Sequence, residues 1–215
     1  MLKVNNLSKS YGSNTVLNGV NLEFERRKIK SFLGPNGAGK TTTFNIVSGV
    51  ETPSAGTIHL NGKDITNLPV HLRAARGISY LTQENSLFRG LSVEKNIQVY
   101  LDGLDYKEEN PNRDASRSME RLNISNLRGR DVNNLSTGQK RKVEIARALA
   151  LSPDYLLLDE PFSDLDPRSV AEIKEVLVSI KEEEEIGIVL SDHRAKEALS
   201  IADYNYLLDE GNIIA

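Results

Sequence analysis

The stretch Gly34-Pro-Asn-Gly-Ala-Gly-Lys-Thr41 decides the fold. It fits the pattern G-x-x-x-x-G-K-[ST] of a phosphate-binding loop, in which glycines let backbone N–H groups point inward at a polyphosphate. The residues before it, Lys28–Leu33, are mostly apolar and predict a buried strand, whereas Thr41–Ser48 predict a helix that Gly49 ends. Because a strand and a helix flank the loop, we interpret it as a phosphate site rather than an ordinary glycine-rich turn.

Each residue type in this loop suits phosphate chemistry. The N-terminus of the helix adds partial positive charge, Lys40 reaches the β- and γ-phosphates, and the Thr41 hydroxyl can ligate Mg²⁺. The candidate nucleotide contacts are therefore Gly34, Pro35, Asn36, Gly37, Ala38, Gly39, Lys40, Thr41 and Thr42.

Composition limits the class of protein. The chain has 215 residues, a formal net charge of −3 and no cysteine. The length suits one large domain, or one domain with an inserted lobe, and the charge argues against a nucleic-acid-binding surface. The N-terminus does not resemble a signal peptide, and no apolar run approaches the ~20 residues needed to span a bilayer. Zero cysteines fit a reducing compartment, so we expect a soluble cytoplasmic α/β protein.

Hydrophobic periodicity predicts the remaining elements. Apolar residues near the N-terminus alternate with polar ones, as in half-exposed antiparallel strands: Leu2, Val4, Val20, Leu22 and Phe24. Further short strands are predicted at Thr57–Gly62, Tyr155–Leu158, Ile186–Leu190 and Tyr204–Leu208. Helical stretches separate the later strands, and this alternation predicts a mostly parallel sheet covered by helices.

Between Leu91 and about Leu127 the chain becomes polar and helical. Within it, Asp102–Asp114 contains glycine, asparagine and proline and predicts a surface loop. We interpret the segment as a helical lobe with a loop at its surface. The charge run Lys181–Glu185 is interpreted as a solvated helix end.

The run Tyr155-Leu-Leu-Leu-Asp159-Glu160 is the second candidate site. Its apolar residues predict a central strand, and Asp159 follows at the carboxyl end, where α/β sheets place ligand groups. In phosphate-loop enzymes an acidic residue at such a position holds Mg²⁺, directly or through water. A second carboxylate beside a metal costs repulsion, so Glu160 is best explained as a general base that polarises the attacking water. The alternative is a surface acidic pair after a strand.

The third candidate site is Leu135-Ser-Thr-Gly-Gln139, directly before the amphipathic stretch Lys140–Leu149. Ser136 and Gly138 form a second anion site at a helix N-terminus, although Ser136 can equally be a simple N-cap. A second anion site is unexpected in a chain with one nucleotide-binding unit, unless it contacts a nucleotide that is bound by another molecule.

Taken in order, the phosphate loop, Gln83, Leu135–Gln139, Asp159-Glu160, Ser163–Asp166 and His193 resemble the ATP-binding subunits of ABC transporters. The resemblance covers essentially the whole chain. It implies a P-loop NTPase core with a mostly parallel sheet flanked by helices, an antiparallel β region and an inserted helical lobe. Residues 1–215 would form one nucleotide-binding domain, with residues 85–150 approximately its helical subdomain. ATP hydrolysis, with ATP and Mg²⁺ bound, is the implied activity.

The resemblance also implies individual roles. Tyr11 resembles the aromatic residue that stacks on adenine, and Gln83 the glutamine that touches Mg²⁺ or water and senses the membrane partner. The signature residues Ser136, Gly138 and Gln139 would grip the γ-phosphate held by the opposite subunit. Asp166 would lie in a loop at the dimer seam, and His193 on the γ-phosphate. The implied catalytic residues are Lys40, Gln83, Glu160 and His193, and the implied metal ligands are Thr41, Gln83 and Asp159.

Within the family, four stretches are similar to the ATPases of lipopolysaccharide exporters: Gly34–Phe44, Leu87–Val93, Lys142–Ala150 and Asp159–Phe162. The ATPases of branched-chain amino-acid importers share much of this pattern and are the alternative. A soluble ABC-type ATPase usually carries two cassettes or a long coiled-coil insertion, and a P-loop kinase would not need the signature. Two departures from the family are Thr137, where glycine is commoner, and the end of the chain at Ala215, where a helical tail usually follows.

The resemblance implies a homodimer on ATP binding, held peripherally at the cytoplasmic face of the inner membrane by transmembrane subunits, with no nucleic-acid partner. Leu87 and Phe88 place large apolar side chains in a turn-like segment. One interpretation is that both side chains are buried where the core meets the helical lobe. The other is that they form an exposed apolar groove, with Arg89 at its rim, that receives a short cytoplasmic helix of the membrane subunit.

Overall fold

The computed structural model describes residues 1–103 and 114–214, and its strands and helices alternate as the sequence predicts. The elements in chain order are β1 Leu2–Tyr11, β2 Asn14–Phe24, β3 Ile29–Leu33, α1 Lys40–Ser48, β4 Ala55–Leu60, β5 Lys63–Asp64, α2 Val70–Ala75, β6 Ile78–Leu81, α3 Val93–Asp102, α4 Ala115–Arg121, α5 Thr137–Leu149, β7 Tyr155–Asp159, α6 Pro167–Glu183, β8 Gly187–Ser191, α7 Ala195–Leu199, β9 Tyr204–Asp209 and β10 Asn212–Ile213. Short 3-10 turns at Ser125–Leu127 and Val132–Asn134 precede α5.

Within the described residues, the strands pair into two sheets. One has the order β2-β1-β4-β5 and is antiparallel throughout. The other has the order β10-β9-β3-β8-β7-β6 and is parallel, except that β10 runs antiparallel to β9. The predicted combination of an antiparallel region with a mostly parallel sheet is confirmed.

The burial of each sheet follows from its sequence pattern. In the antiparallel sheet, Leu2 pairs with Phe24 and Val4 with Leu22, and all four side chains are buried. The parallel sheet is covered on both faces, so β7 and β8 are buried along their whole lengths. Tyr155 and Leu157 of β7 join the core beneath the antiparallel sheet and α1, whereas the alternate residues face the core beneath α5 and α6. The parallel sheet therefore separates two hydrophobic cores.

The helices α3, α4 and α5 contact one another and form the part of the predicted lobe that the structure describes. The predicted loop at Asp102–Asp114 lies for the most part outside the described residues. The assignment of residues 85–150 to a subdomain stays a prediction. Within residues 1–103 and 114–214, no helix is both long and apolar enough to cross a bilayer.

The sequence suggested that the charge run at the end of α6 is a solvated helix end, but in the structure two of its glutamates form ion pairs with another helix. Arg121 at the end of α4 makes ion pairs with both Glu183 and Glu184, its Nε lying 2.8 Å from Glu184. Glu184 is consequently only 17% exposed. These contacts connect α4 to the end of α6, a tertiary relationship that the charge pattern alone does not contain.

Candidate nucleotide site

The predicted phosphate loop connects β3 to α1, and two of its glycines are required by the backbone. Gly34 and Gly39 have φ angles of 152° and 105°, and a Cβ on Gly34 would lie 2.1 Å from the carbonyl oxygen of Leu208. Gly39 is the N-cap of α1, and within the described chain no side chain caps this helix. The N–H groups of its first turn are therefore available to an anion.

Lys40 begins α1 and is 8% exposed. Its Nζ donates to the carbonyl oxygens of Gly34 and Pro35, each at 2.8 Å. Burial lowers the pKa of Lys40, and the nearby carboxylates of Glu160 and Asp159 oppose that shift. An ammonium has three donors, so one remains for an anion in the loop. The geometry of the loop thus fits a polyphosphate.

The structure buries Asp159 at the carboxyl end of β7, where the sequence predicts it. The side chain is 1% exposed and accepts a hydrogen bond from Ser191 Oγ at the end of β8. Tyr80, on the other neighbouring strand β6, places its hydroxyl 3.5 Å from Asp159 Oδ2. Burial and the adjacent Asp159 carboxylate raise the pKa of Tyr80. Neighbours from both flanking strands therefore orient this carboxylate.

Glu160 follows Asp159 with a left-handed backbone, φ 49°, which few residues other than glycine adopt. Its N–H donates to the carbonyl oxygen of Ser191 at 2.9 Å. The carboxylate oxygen Oε2 accepts hydrogen bonds from Ser163 Oγ at 2.9 Å and from Gln83 Nε2 at 3.0 Å. His193 Nδ1 lies 3.3 Å from the same oxygen. Three of the predicted catalytic residues, Gln83, Glu160 and His193, are therefore in contact.

The order of the parallel strands explains why these three residues meet. Gln83 follows β6, Glu160 follows β7 and His193 follows β8, and these strands are adjacent in the sheet. Parallel strands end at the same edge, so residues distant in sequence converge there. Half of the His193 side chain remains exposed, which leaves it accessible to a ligand at this edge.

The predicted metal ligands are Thr41, Gln83 and Asp159. They offer a hydroxyl, an amide and a carboxylate oxygen, the hard ligands that Mg²⁺ prefers. Among residues 1–103 and 114–214 there is no group of three or more histidine, cysteine, aspartate or glutamate side chains that could hold a metal. Phosphate and water would therefore have to complete the coordination, which is usual for Mg²⁺ bound together with a nucleotide.

Tyr11 ends β1 and is 47% exposed. Its hydroxyl donates a hydrogen bond to Glu51, just after the C-terminus of α1. Lys9 Nζ lies 4.9 Å from the centre of the tyrosine ring. The hydrogen bond to Glu51 raises the pKa of Tyr11. The ring is thus held from two sides and still presents surface to a ligand.

The predicted signature residues lie at the start of α5. Ser136 is the N-cap and forms a capping box with Gln139, so the helix begins at Thr137, three residues before the predicted amphipathic stretch. Gly138 packs against α6, where an added Cβ would lie 2.3 Å from Ser169 Oγ. That same Oγ donates to Asp166, the N-cap of α6. The N-cap interpretation of Ser136 is confirmed, and its contact with a nucleotide stays a prediction.

The segment after Gln83 contains one buried and one exposed apolar side chain. Leu87 is 9% exposed and belongs to the core beneath α5, and its remaining surface lines a small pocket together with Arg89 and Lys140. Its neighbour Phe88 is 45% exposed, and Arg89 is exposed beside it. The guanidinium of Arg147 lies 5.9 Å from the Phe88 ring. Alternate directions of successive side chains place Leu87 in the core and Phe88 at the surface.

Sequence reasoning missed several residues that support the site. Buried Arg141 of α5 donates to the carbonyl oxygen of Glu160 at 2.5 Å and forms an ion pair with Glu144 at 3.2 Å. Glu144 in turn accepts from the Ser86 N–H at 2.9 Å. The sequence did contain a signal for these residues, because they are charged and lie on the buried stripe of the amphipathic helix α5. Charged side chains are seldom buried unless they are paired.

Comparison with known proteins identifies the family. The family model described as ABC transporter matches residues 17–163 of this chain. The chain belongs to the ABC transporter family. Its curated relatives include the lipopolysaccharide export system ATP-binding protein LptB of Haemophilus influenzae, 42% identical over 216 residues, which cover 100% of this chain and 89% of that protein. LptB of Escherichia coli is also 42% identical, with the same coverage over 215 residues.

Solved structures agree with this assignment. An ATP-binding cassette of an ABC transporter in its ADP conformation superposes with a TM-score of 0.90 at 27% identity, covering 100% of this chain and 89% of that chain. A dimeric cassette in a post-hydrolysis state with ADP and Pi has a TM-score of 0.86 at 26% identity, covering 100% and 97%. The predicted ABC-type ATPase fold and class of activity are therefore confirmed.

Proposed function

We propose that this ABC ATPase powers the export of lipopolysaccharide from the inner membrane, held peripherally at the cytoplasmic face by transmembrane subunits. The observation that carries the proposal is the 42% identity to lipopolysaccharide export ATPases along the whole of this chain. The ATPase of a branched-chain amino-acid importer is the second candidate, because it shares much of the same motif pattern.

The phosphate loop binds the triphosphate of ATP. The amides at the start of α1, which no side chain of the described residues caps, and the third donor of Lys40 supply positive charge, since two Lys40 donors already hold the loop. Thr42 and the loop residues Asn36, Gly37 and Ala38 complete the proposed contacts, and Tyr11 supports the base. When bound, Mg²⁺ would neutralise phosphate charge, held by Thr41, Gln83 and Asp159.

Glu160 acts as the general base. Its carboxylate is only 15% exposed and is oriented by Ser163 and Gln83. From that position it takes the proton of a water that attacks the γ-phosphorus, as the bond to the ADP leaving group breaks. His193, beside the same carboxylate oxygen, is suited to donate a hydrogen bond to the γ-phosphate.

The signature residues act on a second copy of the chain. Ser136 is exposed at the start of α5, whereas Gly138 is buried against α6 and Gln139 is partly exposed. A homodimer formed on ATP binding would bring this helix N-terminus to the γ-phosphate of the partner, with Asp166 at the seam. Each ATP would then lie between two subunits.

Phe88 and Arg89 are the proposed contacts with the transmembrane subunit, with Leu87 anchoring the segment in the core. A chain of contacts links this segment to the general base. The N–H of Ser86 donates to Glu144, which pairs with Arg141, whose guanidinium donates to the carbonyl oxygen of Glu160. Docking at Phe88 would therefore affect the backbone that presents the catalytic carboxylate.

Purification of the tagged chain from its own membranes tests this function. Co-purification of transmembrane subunits, together with ATP-dependent extraction of lipopolysaccharide from proteoliposomes that contain the complex, is the expected result. Co-purification with an amino-acid importer, or ATPase stimulation by a branched-chain amino acid and not by lipopolysaccharide, would favour the second candidate. Recovery of the chain without any membrane protein would overturn both.

A further inference from the structure

A side-chain network joins Tyr11 to the end of α1. The tyrosine hydroxyl donates to one carboxylate oxygen of Glu51, and Lys9 Nζ lies 3.4 Å from that same oxygen. Lys9 also donates to the carbonyl oxygen of Thr52 at 2.8 Å and covers one face of the Tyr11 ring. Glu51 thus holds both the hydroxyl of the ring and the cation packed on it.

Glu51 is itself held from the opposite side. Its second carboxylate oxygen accepts from Asn45 Nδ2 at 3.0 Å. The side-chain oxygen Oδ1 of Asn45 accepts from the Tyr80 hydroxyl at 3.1 Å, and that hydroxyl lies 3.5 Å from Asp159 Oδ2. The N–H of Glu51 also donates to the carbonyl oxygen of Asn45 at 3.0 Å. The network therefore extends from Tyr11, through α1, to the buried carboxylate at the end of β7.

We propose that Glu51 is a positioning residue that holds the Tyr11 ring in the orientation that receives the nucleobase of ATP. This inference rests on the proposed function, because it takes Tyr11 as the residue that contacts the base. Without the carboxylate, the half-exposed ring would rotate among several rotamers, and nucleotide binding would have to select one of them. Pre-organisation of one stacking side chain removes that cost.

The network favours this role over that of an ordinary surface ion pair. A surface pair of Lys9 and Glu51 would require only one carboxylate oxygen and no contact with an aromatic ring. Here both oxygens are used, one toward the ring and one toward α1, the helix that begins at the phosphate loop. The base-binding side chain is thereby fixed relative to the phosphate-binding helix, which sets the distance between the two ends of the nucleotide.

Equilibrium binding of ATP and of inorganic tripolyphosphate, both in EDTA to prevent hydrolysis, tests the proposal by calorimetry. Tripolyphosphate occupies the phosphate loop but has no base. Glu51→Ala should weaken ATP binding about two- to tenfold, the usual cost of immobilising one side chain, and leave tripolyphosphate binding within about twofold. Tyr11→Phe removes the same hydrogen bond from the other partner while leaving the ring and Glu51 in place, and should have a similar effect. Glu23→Ala, which removes an exposed carboxylate paired with Lys3, is the matched control.

The double variant Tyr11→Phe/Glu51→Ala decides whether the two residues act through one bond. Its loss of ATP affinity should not exceed that of the larger single variant, because coupled residues are not additive. Additive losses, an equal loss of tripolyphosphate affinity, or unchanged ATP affinity in both single variants would overturn the role of Glu51. Wild-type protein that binds ATP no more tightly than tripolyphosphate would instead overturn the contact between Tyr11 and the base.

Discussion

Replacement of Glu160 by glutamine separates catalysis from binding. The side chain keeps its length, and the amide oxygen of the glutamine can still accept a hydrogen bond from Ser163 Oγ, which lies 2.9 Å from the carboxylate in the wild-type protein. The amide cannot take a proton from water. Loss of a general base costs about 10²- to 10⁴-fold in rate, which corresponds to ~3–5 kcal/mol of additional barrier. We therefore expect Glu160→Gln to reduce ATP turnover by at least about a hundredfold.

ATP binding should survive this change, because the phosphate loop and Lys40 do not depend on the glutamate side chain for their hydrogen bonds. Slow hydrolysis should then trap an ATP-bound dimer. Phosphate release in single-turnover experiments measures the chemical step, calorimetry measures binding, and size-exclusion chromatography with light scattering measures the dimer. Glu175→Gln, an exposed glutamate on α6, makes the same chemical change away from the site.

Three results would refute the reasoning. Turnover within about threefold of wild type would mean that Glu160 is not the base. A parallel loss of ATP affinity would mean that the carboxylate supports binding rather than chemistry. A large fall in melting temperature would show that the amide disrupts the contacts with Gln83 and Ser163, and the rate would then report on structure.

Lys40→Ala should reduce ATP affinity at least about tenfold, since it removes a charged phosphate contact, and calorimetry that shows unchanged affinity would contradict this role. Ser136→Arg should leave monomer ATP binding within about twofold but abolish ATP-driven dimerisation. A loss of monomer affinity equal to that of Lys40→Ala would contradict action on the partner. A mixed dimer of the Lys40→Ala and Ser136→Arg variants should keep at most one working site. Phe88→Asp should preserve the melting temperature and eliminate co-purification with transmembrane subunits, whereas Leu199→Asp, an equally exposed leucine on α7, should preserve both. Leu87→Asp should unfold the protein, because it places a charge in the core.

The sequence alone determined the site residues that belong to continuous motifs. The phosphate loop and the Asp159-Glu160 pair each lie at a boundary between an apolar strand and the following turn or helix, and such boundaries are encoded by neighbouring residues. The buried stripe of α5 and its N-cap Ser136 were predictable for the same reason. Local chemistry also located Leu2, Val4 and their partners in the antiparallel region.

The tertiary structure decided which of these residues meet. Gln83, Glu160 and His193 converge because β6, β7 and β8 are neighbours in the parallel sheet, and strand order in a parallel sheet depends on crossover connections rather than on local sequence. The different burial of Leu87 and Phe88 also could not be predicted from the sequence. Both residues are apolar, and only packing against α5 distinguishes them.

The hydrogen bond from Tyr11 to Glu51 shows the same limit most clearly. The two residues are 40 positions apart in the sequence, and no sequence motif contains both of them. A glutamate just after a helix has no distinctive sequence pattern, so its contact with the ring appears only when β1 is placed beside the end of α1. Residue type supplied the chemistry of this site, and long-range packing chose the partners, because a hydrogen bond depends on distances that the order of residues along the chain does not specify.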